Sequence, residues 1–371
     1  MQALEQALAA VDAFVGTDLD DSQRIVRAKV RGLLRGYAAR WEAVHYNVLA
    51  VEQLLTSELY NPATQRKSRS FTVAGKLDVI AEQGGRTILV DHKTTSDDIS
   101  DPNSSYWRQL VVEGQVNHYY LLGWLNGQKF DQAIWDVVRK PSISPKKLAK
   151  AERASVVATG RYCDSSVSHE DRELLAGGEE RETLAMYEAR LAHDCTAERP
   201  ERYFQRRAVP RLDGEIMEYA GELWDHGQDM LAVRNTGRNP RNSGACMLYG
   251  APCKFLGICS GHDTPDSDKW QRKQQVHSEL DLEGDGRDVL TNSRIRTFQT
   301  CRRKHEYSYE LGLELQDEEE REALYFGNVW HAAMNSWWQT FQTGEQHGNA
   351  SGSPAIDVGQ HEADDTKTIA G

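Results

Sequence analysis

Charge set into apolar runs constrains this chain more than any other feature. The stretch GKLDVIAEQGGRTILVDHKTT, residues 75–95, reads as two β-strands joined by a tight Gly84-Gly85 turn. Strand side chains alternate between faces, so Asp91 and Lys93 point one way and His92 the other. The turn folds Asp78 back beside Asp91. Taken alone, the stretch fits an exposed sheet edge with a surface ion pair. It fits equally two carboxylates and a lysine gathered for chemistry.

At 371 residues the chain can bury one large core or two modest ones. Its 39% hydrophobic and 27% charged content is that of an ordinary soluble protein, and no apolar run nears the roughly 20 residues of a membrane span. The acidic start, MQALEQALAAVDAFVGTDLDD, lacks the basic region of a signal peptide, so a cytoplasmic location and no membrane partner are expected. A net charge of −12 argues against a general nucleic-acid coat. Two local patches run against that average: Arg24, Arg27, Arg31 and Arg35 at helical spacing, and KPSISPKKLAKAER at 140–153. Each is either a solvated helix face or the wall of a basic groove.

The periodicities predict helices over 1–44, then strands at 46–55, 68–82 and 86–95. A helix over 106–127, ended by Gly127, and a strand at 130–140 complete a strand–helix–strand unit. Residues 145–195 are mostly helical and polar; a short strand in RYFQRRAVPR and a long helix over 214–237 follow. The polar segment 260–292 reads as a linker, with helices around 293–310 and 319–342 beyond it. The tail 343–371 has little to bury and is expected to be disordered.

G-x-x-D followed by D-x-K supplies hard oxygen ligands for a divalent ion such as Mg²⁺ or Mn²⁺ from Asp78 and Asp91. Such an ion polarises a phosphate and activates water, and Lys93 is placed to steady the charge that develops. The backbone carbonyl of His92 lies between the two motif side chains and is a candidate further ligand. Gln115 and Tyr119, four apart in GQVNHYY, share a helix face and read as site hydrogen-bonders or as a half-buried structural pair. Of six cysteines, Cys246, Cys253 and Cys259 form a compact C-x6-C-x5-C and Cys301 stands in QTCRRKH; clustering in a large intracellular chain suggests metal before disulfides. Four thiolates suit an iron–sulfur cluster or zinc, and the uneven spacing favours the cluster. Cys163 and Cys195 are left as plain thiols.

GKLDVI, VDHKTT and GQVNHYY, in that order, resemble motifs II, III and Q-x-x-x-Y of the PD-(D/E)XK nuclease superfamily. The resemblance is to the branch typified by the RecB nuclease domain and the CRISPR-associated iron–sulfur exonucleases. It implies an α/β fold: a restriction-endonuclease-like mixed sheet of four or five strands flanked by helices, with a helical iron–sulfur extension. It further implies metal on Asp78 and Asp91, catalysis by Lys93, and a site completed by Gln115 and Tyr119. Glu52 in LAVEQLL matches a first-strand glutamate of this branch, and Gly327 and His331 in ALYFGNVWHAAM match its G-x-x-x-H metal histidine, the glycine allowing close helix approach. The same resemblance assigns Cys246, Cys253, Cys259 and Cys301 to a 4Fe–4S staple, with Zn²⁺ as the alternative.

The implied activity is a metal-dependent deoxyribonuclease, an exonuclease of recombination, repair or phage type. DNA, single- or double-stranded, is the partner, and a helicase or recombination partner is left open. The order of the pieces departs from the family, because the histidine and first-cysteine segment comes last, as in a circular permutation. The expected division is a nuclease core over 1–259 with three cluster cysteines, a linker over 260–292, a helical segment over 293–342 and the tail. Residues 293–342 then complete their own chain's site or that of a neighbouring copy in a swapped oligomer. A non-catalytic nucleic-acid-binding or scaffold protein that keeps the fold is the alternative function.

Overall fold

The computed structural model describes residues 2–277, 280, 286–316 and 321–342. Its centre is a mixed sheet with helices on both faces, the α/β arrangement expected. Strands β1 (Asn47–Tyr60), β2 (Lys67–Gln83) and β3 (Arg86–Thr95) are antiparallel in sequence; β4 (Gln132–Arg139) lies parallel to β3, and β5 (Phe204–Ala208) antiparallel to β4. Gly84 and Gly85 have φ of 61° and 75°, the left-handed pair that a two-residue hairpin turn requires.

Helices packed about the sheet include α1 (Gln2–Val15), α2 (Asp21–Arg40), α3 (Gly114–Leu125), α4 (Leu184–His193), α5 (Asp213–Thr236), α6 (Asn292–Thr300) and α7 (Glu322–Gln339). On one face, α3 and α5 cover Leu77, Ile80, Leu89 and Trp135 with Val116, Tyr119, Leu122 and Leu223. On the other, Val79, Val90, Ile134 and Val138 pack with Val30, Leu33 and Tyr37 of α2 and with Phe326, Val329 and Trp330 of α7. The late helix is thus built into the same core as the first two.

Four differences from the sequence reading have local causes. The helix expected over 106–127 is two pieces, Ser105–Gln109 and α3, parted by the turn Leu110–Val112, because Glu113 turns its carboxylate to the Gln115 N–H and caps a fresh helix. The sheet has six strands, since a short β-segment, Asp288–Leu290, pairs parallel with Phe71–Val73 of β2. That segment and another, Trp270–Arg272, paired with Leu313–Leu315, lie in or bound the stretch read as linker. The helix expected over 293–310 breaks at Cys301, whose backbone is extended (φ −163°, ψ 113°). The tail 343–371 lies outside the described residues.

The glycine of G-x-x-D has a steric reason. A Cβ on Gly75 would stand 2.7 Å from Leu122 Cδ1 and 3.3 Å from Tyr119 Cε1, so with any larger residue Leu122 must shift for α3 to lie this close on β2. Gly75→Ala should therefore cost about 1–3 kcal/mol, the usual range for overpacking. It should be seen as a lower urea midpoint; an unchanged midpoint would contradict this close seat of α3.

Candidate active site

β2 pairs with β3 only from Val79↔Val90 to Gln83↔Arg86, and on the same edge it meets Asp288–Leu290 only at Phe71–Val73. Between these contacts the edge of β2 is open. Asp78 lies one step beyond the last pair, opposite Asp91, and its Oδ2 accepts the His92 backbone N–H at 2.8 Å in place of a ladder bond. The expected register of the two aspartates is the observed one.

On the far side of β2, Val51↔Val79 and Gln53↔Leu77 bracket Glu52 and Asp78. Glu52, Asp78 and Asp91 therefore occupy neighbouring positions across three strands, and of the two other carboxylates it is Asp91 whose charge bears on Asp78. Glu52 also sits at φ 53°, an uncommon backbone for a residue with a Cβ. Its carboxylate is held by Lys76 Nζ at 2.5 Å. The side chain of Lys93, 28% exposed, forms an ion pair with Asp91 and rests 5.4 Å from the Trp135 ring centroid.

Asp91 is 1% exposed, and apart from the Lys93 ammonium on Oδ2 no hydrogen-bond donor reaches its carboxylate. A buried carboxylate with only an ammonium beside it is costly unless cationic charge completes it, so this donor fits a divalent ion. From α7, on the opposite face, His331 reaches the open end of the sheet, with Nδ1 3.9 Å from Asp78 Oδ2. Among the described residues no three His, Cys, Asp or Glu side chains close on one point as a finished coordination sphere. What the chain supplies is two strand carboxylates and an imidazole within reach of one of them.

Electrostatics sort these groups. Burial, then the neighbouring Asp91 charge, raises the Asp78 pKa to about 7. Burial works to lower Lys93, but Asp91 and Asp78 outweigh it and hold the ammonium charged above its ordinary value. Burial, followed by His92, Lys93 and Lys76, pushes His331 down to about 3, leaving a neutral imidazole. Tyr119, buried and then raised further by Asp91, Asp78 and Glu52, keeps its proton and accepts the Gln115 side-chain N–H at 2.7 Å.

His92 turns away as expected. Its ring stacks on Trp338 of α7 (centroids 5.9 Å apart) and its Nδ1 lies 3.4 Å from Asp136 Oδ2. Asp136 is fully buried; it accepts from Tyr37 OH and, at 3.1 Å, from Arg206 Nη2. Arg206 in turn lies 4.2 Å from the Trp41 ring centroid, with Tyr37, Tyr46 and Trp338 around it. Sequence reasoning missed this post behind the site, although Asp136 in AIWDVV is a charge in an apolar run like the two aspartates it did find. Gly327 corrects a smaller expectation: a Cβ there would meet Thr94 Oγ1 at an ordinary 3.5 Å, so close approach does not demand glycine.

The four clustered cysteines are half-buried and form no disulfide. The Asn242 N–H donates to Cys301 Sγ at 3.4 Å and its carbonyl accepts from Cys246 Sγ at 3.7 Å, so one residue touches both settings. Burial, then Cys253 and, more weakly, Cys301 and Cys246, raises the Cys259 thiol, while Arg303 opposes. Cys195 is buried against α2 and belongs to the core.

The PD-(D/E)XK nuclease superfamily profile matches residues 1–259 and 289–364. The chain belongs to that superfamily, whose members are generally nucleases. No curated protein matches the chain. Among the described residues no helix is long and apolar enough to cross a membrane.

Between about pH 4 and 7 the metal-free fold keeps a proton on Asp78 that the unfolded chain releases, so its stability should fall as pH rises through that window. A cation needs the charged carboxylate, so Mn²⁺ binding should release close to one proton at about pH 6 and much less at about pH 8.5. Titration calorimetry in buffers of different ionisation enthalpy measures this; equal release at both values would contradict the raised Asp78.

Proposed function

We propose that the chain is a divalent-metal-dependent deoxyribonuclease, an exonuclease acting in recombination, repair or phage DNA processing. The observation that carries the reading is the opposed pair Asp78 and Asp91 at the open edge of β2, with Lys93 on one side and His331 on the other. Asp78, Asp91 and His331 would hold Mg²⁺ or Mn²⁺, with Glu52 or the His92 carbonyl as further donors. A cation held there supplies Lewis-acid polarisation of the scissile phosphate.

The protein's own groups do the remainder. Lys93 keeps its charge and neutralises phosphate oxygens as negative charge grows on them. The Gln115–Tyr119 hydrogen bond fixes two polar groups beside the carboxylates and orients the strand. The Asp136–Arg206–Tyr37 post holds His92, and through its N–H the Asp78 carboxylate.

We further assign the chain to the RecB-like, iron–sulfur branch with its pieces in permuted order. In support, α7 and Cys301 meet Asp78 and the Cys246 loop within one chain, which favours a permuted monomer over a swapped oligomer. Zinc would require four sulfurs about 2.3 Å from a single centre, whereas each thiolate of a 4Fe–4S cluster binds its own iron. Asn242 links the Cys301 and Cys246 settings, and the uneven C-x6-C-x5-C spacing, without the paired C-x2-C hooks of zinc ribbons, favours the cluster as a structural staple.

Purified protein should degrade linear DNA with Mg²⁺ or Mn²⁺, and Lys93→Ala or Asp91→Ala should each lower the rate about a hundredfold or more. Full activity in both variants would contradict the reading, and a wild type that binds DNA but neither cuts it nor takes up Mn²⁺ would favour a scaffold. Prepared without air, the protein should be brown, and Cys301→Ser should bleach it; a colourless zinc protein would overturn the cluster.

A further inference from the structure

Val112, Leu212 and Val111 are 80%, 74% and 68% exposed, more than any other large hydrophobic side chain among the described residues. Exposed aliphatics met singly are ordinary. These three are not single. Arg211 Nη2 donates to Leu110 O at 2.8 Å and Glu113 O at 3.4 Å, the two carbonyls that flank the valines, and its Nε binds the Asn117 side chain of α3. Leu212, the next residue, is thereby brought to the same corner from a hundred positions away.

The corner is stiff. Leu110 and Trp107 beneath the turn are 8% and 5% exposed, the Trp107 N–H is bonded to Ile99 O at 2.9 Å, and the Arg207 guanidinium lies 4.1 Å from the indole centroid. It also stands on the rim of the site. Glu113, which ends the turn, caps α3, and that helix carries Gln115 and, one turn on, Tyr119, which lies against Gly75 of β2, three residues before Asp78. A clamped apolar tip at the head of the helix that carries Gln115 and Tyr119 is the kind of exposed patch that marks a contact.

We propose that Val111, Val112 and Leu212 form a wedge that seats against the nucleobases of the strand entering the site. This rests on the nuclease reading and narrows it to unpaired or fraying DNA ends. Apolar side chains enter base steps by unstacking them, which costs least where the strand is already open. Arg108, exposed on the short helix before the turn, is the cation available to an adjoining phosphate; Arg207 is held by Trp107 and the Pro102 carbonyl.

The test uses the full chain carrying Lys93→Ala, so that the strand stays whole, and a single-stranded oligonucleotide with 2-aminopurine near one end. Binding should raise the 2-aminopurine emission several-fold as its neighbours are unstacked. Adding Val111→Ser and Val112→Ser should remove most of that rise while salt-sensitive binding persists. Both valines face solvent, and circular dichroism checks that the variant folds. An undiminished rise in the serine variant, or binding by the parent without any rise, overturns the wedge and leaves the nuclease reading intact. A shift from dimer to monomer on serine substitution, seen by sedimentation, makes the tip a contact between copies and also overturns it. Failure of the unsubstituted protein to bind or cut DNA with Mg²⁺ removes the nuclease reading and the wedge together.

Discussion

The site depends on one substitution of partners: the His92 backbone N–H is satisfied by a side-chain carboxylate, that of Asp78, where a sheet would ordinarily offer a carbonyl. Because Asp78 takes that bond, β2 and β3 can part without stranding a donor. The opening leaves Asp78 facing Asp91, with room for an imidazole from the opposite layer.

Around that opening the molecule sets charges against each other in separate compartments. In front, Lys76 pairs with Glu52 and Lys93 with Asp91, beside Asp78. Behind, Asp136 and Arg206 neutralise one another in a dry aromatic enclosure, where loss of one partner from such a pair costs about 3–5 kcal/mol. Trp338 belongs to both the His92 stack and the Arg206 enclosure, so the helix that carries His331 is docked onto the strand that carries Asp91. Position in the chain matters little to this arrangement. α7 comes last in sequence and still fills the gap between α1, α2 and β3 as part of one core.

What the sequence disclosed followed from strict periods. A two-residue alternation and a Gly-Gly turn were enough to place Asp78 opposite Asp91, Lys93 on the same face and His92 on the other. The helix reading over YWRQLVVEGQV went past the turn at Leu110–Val112, because apolar residues continue through it and only Glu113-Gly114 hints at a new cap. Asp136 and Arg206 lie seventy positions apart, and nothing local in RYFQRRAVPR says that one of its arginines is buried. The strand at Asp288–Leu290 is three residues long in a polar stretch, too short for alternation to show. His331 was found through likeness to a family pattern; its distance from Asp78 is a property of the tertiary fold alone.

The most direct measurement is anomalous diffraction from crystals soaked in Mn²⁺. The account predicts one strong peak within about 2–2.3 Å of an oxygen of Asp78, an oxygen of Asp91 and a ring nitrogen of His331. No peak between the two strands, or one that the imidazole does not touch, would contradict it.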